Sequence, residues 1–127
     1  MLRKLAFVAL ALALPGAAQG QAPQPRVSVL LSSFKFTPKV IHLRAGQPIV
    51  LHLENTGSGG HDFSAPQFFA AATIAAADRA AIVDGTVQVG SRESRDIALT
   101  PAAGTYSLKC THTMHKMFGM SGKIVVS

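Results

Sequence analysis

Hydrophobic and polar residues alternate along most of the chain. The alternation starts at Val27 in "VSVLLSSFKFTP" and returns in "KVIHLRAG" and "QPIVLHLENTGSGG", where Gly46 and the cluster from Gly57 to Gly60 interrupt it. The segments "TVQVG", "SRDIALTPAAG", "TYSLKC" and "SGKIVVS" complete the series. Successive side chains of a strand point to opposite faces, so this period marks half-buried strands, and the glycines between them mark turns. About seven or eight short strands within about a hundred residues predict an all-β chain, an antiparallel Greek-key β-sandwich whose two sheets bury their inward side chains against each other. No helical pattern recurs between the strands, which argues against an α/β fold.

One segment departs from the alternation. "SAPQFFAAATIAAADRAAIVDG", residues 64 to 85, is rich in alanine, a strong helix former, and Ser64 with Gln67 has the spacing of a capping box. It predicts an insertion of one or two short helices with Gly85 as a stop. Phe68, Phe69, Ala72 and Ile74 would give it an apolar side to pack on a sheet edge or over a site.

The N-terminal residues belong to a different class of segment. Arg3 and Lys4 precede the apolar run Leu5 to Leu14, and Ala18 and Gly20 supply the small residues of a cleavage site. Residues 1 to 20 are therefore expected to be a secretory signal peptide, with an apolar run half the ~20 residues of a spanning helix. No cysteine stands near the cleavage point, so a lipoprotein anchor is not expected. Residues 21 to 127 then form one domain, a monomer expected in the periplasm or another extracytoplasmic space. The full chain carries a formal charge of +6. Its basic residues are scattered and lack interleaved aromatics, which argues against nucleic-acid binding. A mild positive field favours an acidic protein partner or an anionic surface.

The candidate chemistry lies in "CTHTMHKMFGM", Cys110 to Met120, which holds the only cysteine and every methionine except the initiator. In an oxidising compartment a lone cysteine has no internal disulfide partner, leaving a metal thiolate among its possible roles. Tyr106, Leu108 and Cys110 share one face of the incoming strand, so the thiol points inward where the core meets a loop. His115 follows Cys110 after four residues and Met120 follows after four more, on a connection short enough to fold back over one site. A further donor comes from elsewhere, and His61, on the glycine-rich loop before Asp62 and Phe63, is the candidate. Two imidazoles, a thiolate and a weak thioether form the ligand set of a blue-copper site. His112 competes with His115 and Met117 with Met120, and zinc is the alternative metal for such donors. His42 and His52 alternate with apolar neighbours and are read as solvated surface residues.

The chain resembles the cupredoxins, the small blue-copper proteins that include plastocyanin and azurin. "FKFTPKVIHLRAGQPIVLHLENTGSGGHDF" is similar to the N-terminal half of that family and "AGTYSLKCTHTMHKMFGMSGKIVV" to its C-terminal half. The resemblance implies His61 as the upstream histidine ligand, Cys110 as the thiolate, His115 as the loop histidine and Met120 as the axial methionine. Many members carry asparagine after the first histidine, its amide tying the two ligand loops together; here Asp62 lacks that donor.

The leading functional reading is a one-electron carrier, copper cycling between Cu(II) and Cu(I), with His115 as the electron's exit toward a redox partner protein. The alternative is extracytoplasmic copper handling, with His112, Met114 and Met117 as auxiliary donors and a copper donor or acceptor protein as partner. An enzyme is not expected, because the chain offers no second metal cluster and no substrate domain.

Overall fold

The computed structural model describes residues 9–13, 23–112 and 119–127. Its strands are β1 (Arg26–Ser32), β2 (Lys35–Thr37), β3 (Val40–Leu43), β4 (Ile49–Asn55), β5 (His61–Ser64), β6 (Thr73–Ile74), β7 (Thr86–Val89), β8 (Ser94–Thr100), β9 (Gly104–Lys109) and β10 (Ser121–Val126). Between β5 and β7 lie helix α1 (Pro66–Ala71) and a 3-10 helix (Ala76–Ala81). Among the described residues the strands form two five-stranded sheets, ordered β2-β1-β4-β8-β6 and β3-β10-β9-β5-β7. The chain crosses repeatedly from one sheet to the other, and the product is a β-sandwich.

The alternation read from the sequence is the alternation that fills the core. Val29 and Leu31 of β1, Ile49, Leu51 and Leu53 of β4, and Ile97 and Leu99 of β8 face inward from the first sheet. Ile41, Phe63, Val87, Leu108 and Ile124 meet them from the second. Burying each such side chain is worth about 1.5–3 kcal/mol, so the inward set fixes the register of every strand. Phe63 lies edge-to-face with Phe36 and Phe69, at ring separations of 6.0 and 5.9 Å. Phe68 in turn packs on Tyr106 at 5.6 Å. Helix α1 is thus held to the sandwich by Phe68 and Phe69, as its sequence predicts.

The structure corrects several expectations. The described residues form ten strands, not seven or eight, partly because "VSVLLSSFKFTP" breaks at a turn where Phe34 adopts φ 60°. The sheets are mixed: β1 runs parallel to β4, and β3 parallel to β10. Hydrophobic alternation fixes which face is buried but carries no information on strand direction. Ser64 does not cap the helix. It ends β5 and accepts a 2.9 Å hydrogen bond from the Thr86 hydroxyl, while Ala65 occupies the N-cap position without a side-chain bond. Pro66, with its fixed φ, starts the helix instead.

Gly85 is no helix stop either, because the 3-10 helix ends before it, at Ala81. It occupies the turn into β7 with φ +72°, and a Cβ there would stand 2.4 Å from the Pro66 Cα. Gly85→Ala therefore combines a left-handed backbone with a backbone clash. It is expected to lower unfolding free energy by about 1–3 kcal/mol in a denaturant titration.

Among the described residues no helix is long and apolar enough to cross a membrane. Most of the expected leader, residues 1 to 20, lies outside the described residues.

Candidate metal centre

The second sheet gathers three of the four expected donors at one end of the sandwich. His61 opens β5, Cys110 directly follows β9 and Met120 directly precedes β10. All three are buried, with relative exposures of 3, 0 and 1%. The Cys110 N–H donates to the Met120 carbonyl at 3.0 Å, which ties the end of β9 to the start of β10. β5 meets β9 at the pair Ser64 and Lys109. Continuing that antiparallel register brings Phe63 beside Cys110 and Asp62 beside Thr111. His61 is thus a strand residue paired with Val89, not the loop residue the glycines suggested. Its Nδ1 is shielded from solvent.

Asn55, which the sequence reading passed over, shapes the approach to His61. It ends β4 at 1% exposure, in the inward register of Ile49, Leu51 and Leu53. Its amide donates to the carbonyls of Gly59 at 2.8 Å and Val89 at 3.0 Å, and its Oδ1 accepts from the Gly57 N–H at 2.9 Å. The loop before His61 is thereby bonded to the core through one side chain. A Cβ on Gly57 would lie 3.3 Å from Asn55 Oδ1 and in ordinary contact, at 3.4 Å, with His61 Nε2, so the small residue there leaves the Asn55 bond uncrowded. A polar residue at an inward strand position was the available signal for Asn55.

Asp62 joins the His61 segment to the one that follows Cys110. Its carboxylate is fully buried and accepts from the Thr111 N–H at 2.7 Å, from the Thr111 hydroxyl and from the Gln88 amide at 3.4 Å. The sequence raised the lack of an amide donor at this position as a difficulty. The structure answers it by reversing polarity, with the donors on β7 and on Thr111 and the acceptor on β5. His112 extends the network, its Nε2 lying 3.2 Å from Gln88 Oε1 and 3.8 Å from Asp62 Oδ2. This ring sits over Gly60, where a Cβ would come within 3.3 Å of Cε1, and its side chain keeps 39% exposure. Its Nε2 is thus directed at Gln88.

Burial pushes the Cys110 thiol above its ordinary pKa, and the Asp62 carboxylate adds to that. The backbone N–H groups of Asp62 and His112 bond to the sulfur and pull in the opposite direction. Such a thiol favours deprotonation when a cation supplies the compensating charge.

His115, Met114 and Met117 lie outside the described residues. Among the described residues no three of His, Cys, Asp and Glu are grouped to hold a metal ion. His112 and His115, the two histidines that compete for the remaining nitrogen position, thus fall on either side of that boundary, His112 among the described residues and His115 outside them. A buried thiolate, imidazole and thioether are soft or borderline donors, and this set fits copper better than a hard cation. Of the two remaining histidines, His42 is exposed as expected. His52 is not merely solvated, since its Nδ1 lies 2.6 Å from Asp96 and 2.8 Å from Arg26 on the outer face of the first sheet.

A family model described as "Cupredoxin-like domain" matches residues 4–126. No curated protein sequence matches the chain. Among solved structures the chain is similar to auracyanin B, with 21% identity over 85% of this chain and 92% of that one and a TM-score of 0.61. It is similar to a dithionite-reduced auracyanin from the photosynthetic bacterium Roseiflexus castenholzii, at 20% identity, 84% and 99% coverage and a TM-score of 0.60. A third similar structure is auracyanin A, a blue copper protein from the green thermophilic photosynthetic bacterium Chloroflexus aurantiacus, at 20% identity, 80% and 99% coverage and a TM-score of 0.54. At these identities the likeness is one of fold.

Proposed function

The chain belongs to the cupredoxin-like family, and from that premise we propose that it is an exported type 1 copper protein carrying single electrons between redox partners. The observation that carries this reading is the burial of His61, Cys110 and Met120 at one end of the second sheet, on segments bonded to each other. His61, Cys110 and His115 are assigned as the strong ligands and Met120 as the weak axial one. Copper, when bound, supplies a Cu(II)/Cu(I) couple.

What this chain's own residues contribute is rigidity. The Asp62 clasp, the Asn55 bonds and the Cys110–Met120 backbone bond tie together the segments that carry His61, Cys110 and Met120, and donors held in place limit reorganisation between oxidation states. The N–H groups of Asp62 and His112 compensate charge on the Cys110 sulfur. The similar structures support the reading, one being a blue copper protein and another having been reduced by dithionite. Export of the chain rests on the leader pattern of residues 1 to 20, with function outside the cytoplasm.

The test is Cu(II) addition to the purified mature chain. One bound equivalent with an intense visible thiolate-to-copper band is expected, and the band should disappear in Cys110→Ala. A colourless complex would overturn the assignment.

A further inference from the structure

The chain's six acidic residues are unevenly placed. Glu54 and Asp96 lie on β4 and β8 of the first sheet, Asp78 lies on the 3-10 helix, and Asp84 and Glu93 lie on the turns before β7 and β8. The remaining one, Asp62, is fully buried. None stands on the outer face of β3, β10 and β9, and all six are among the described residues.

That face is basic instead. Outward positions along it pair Val40 with Lys123 and Lys123 with Ser107, and His42 with Val125 and Val125 with Thr105; Ser121 pairs with Lys109. Lys39 precedes β3 and Arg44 follows it. Lys39, His42, Arg44, Lys109 and Lys123 are all exposed. Ion pairs among the described residues involve Arg26, His52, Arg95 and His112, and none reaches these five side chains. The first sheet, by contrast, sets Arg26 against Asp96 on its outer face.

We propose that the outer face of β3, β10 and β9 is the docking surface for an acidic protein partner, an inference that rests on the electron-carrier reading. A surface of one sign steers an oppositely charged partner and raises its encounter rate. Position adds meaning to the charge, because Lys109 is bonded directly to Cys110 and Ser121 directly to Met120. A carboxylate-bearing partner seated here rests on the strands that lead into the assigned ligands. An anionic bilayer fits less well, since durable membrane attachment takes an apolar or lipid element besides the basic one. On this face Val40 is the one large exposed apolar side chain among the described residues, while Leu30, Phe34 and Val83 lie off it.

The test is an NMR titration of the isotope-labelled, copper-loaded mature chain with an oligoglutamate peptide at low salt. Two charge-reversal variants with the same net charge accompany it: Lys109→Glu/Lys123→Glu on the face, and Arg79→Glu/Arg92→Glu, on the 3-10 helix and the β7–β8 turn, away from it. Amide shifts confined to β3, β9 and β10, with affinity about tenfold weaker in the first variant and nearly unchanged in the second, would support the surface. Equal weakening in both variants shows a response to net charge alone and overturns it. So do shifts centred elsewhere, or binding to phosphatidylserine vesicles without binding to the peptide. Repeating the titration on the metal-free chain separates the two ideas. Face-specific binding without copper uptake defeats the carrier reading, and copper uptake without face-specific binding defeats the surface.

Discussion

Asp62→Ala is expected to destabilise the metal-free protein by about 1–3 kcal/mol, measured as a lowered denaturant midpoint with an unchanged slope. The wild-type carboxylate is fully buried and accepts from the Thr111 N–H at 2.7 Å, the Thr111 hydroxyl and the Gln88 amide at 3.4 Å. Alanine leaves a small void and removes the acceptor of the Thr111 N–H, while the exposed Thr111 and Gln88 side chains turn to water; the void and the unmet N–H set the loss. Asp62→Asn should lose much less. Its carbonyl oxygen still accepts from the Thr111 N–H, and the hydroxyl can rotate to accept from the new amide. An Asp62→Ala midpoint equal to the wild type would show that the clasp contributes nothing.

The clasp also marks the limit of what the sequence could tell. The sandwich was legible because burying one face of every strand demands period-two alternation, and "VIHL" and "IVLHL" carry it without interruption. Strand direction was not, since β1 beside β4 and β3 beside β10 depend on how the chain crosses between sheets, and the same pattern serves either direction. Local propensity misled at Ser64. Its spacing from Gln67 imitates a capping box, yet pairing of β5 with β7 takes the hydroxyl for Thr86. The proposed donors His61, Cys110 and Met120 stood out because soft ligands are scarce and cluster visibly, and the structure buries all three. The groups that hold them could not, because Gln88 and Thr111 are ordinary polar residues until the β5 register sets Asp62 between them.

His115→Ala is expected to abolish the intense visible band of the Cu(II) protein, whereas His112→Ala should leave it in place. The two residues compete for one role, since a site with His61, Cys110 and Met120 needs another strong nitrogen donor. His112 stands only two residues past Cys110, and its Nε2 is directed at Gln88, 3.2 Å away, with the side chain 39% exposed. Pulling it onto the metal would cost that contact and its packing over Gly60. His115 has the four-residue separation that lets a chain turn back over a buried thiolate. On the proposed assignment, removing it takes away a principal ligand and leaves a weakly coloured or colourless site. Removing His112 takes away one hydrogen bond at the rim, a loss of about 0.5–1.5 kcal/mol in stability. Absorbance and copper stoichiometry of the two variants decide the matter. If His112→Ala is the colourless one, His112 is the ligand and must leave Gln88 when copper binds.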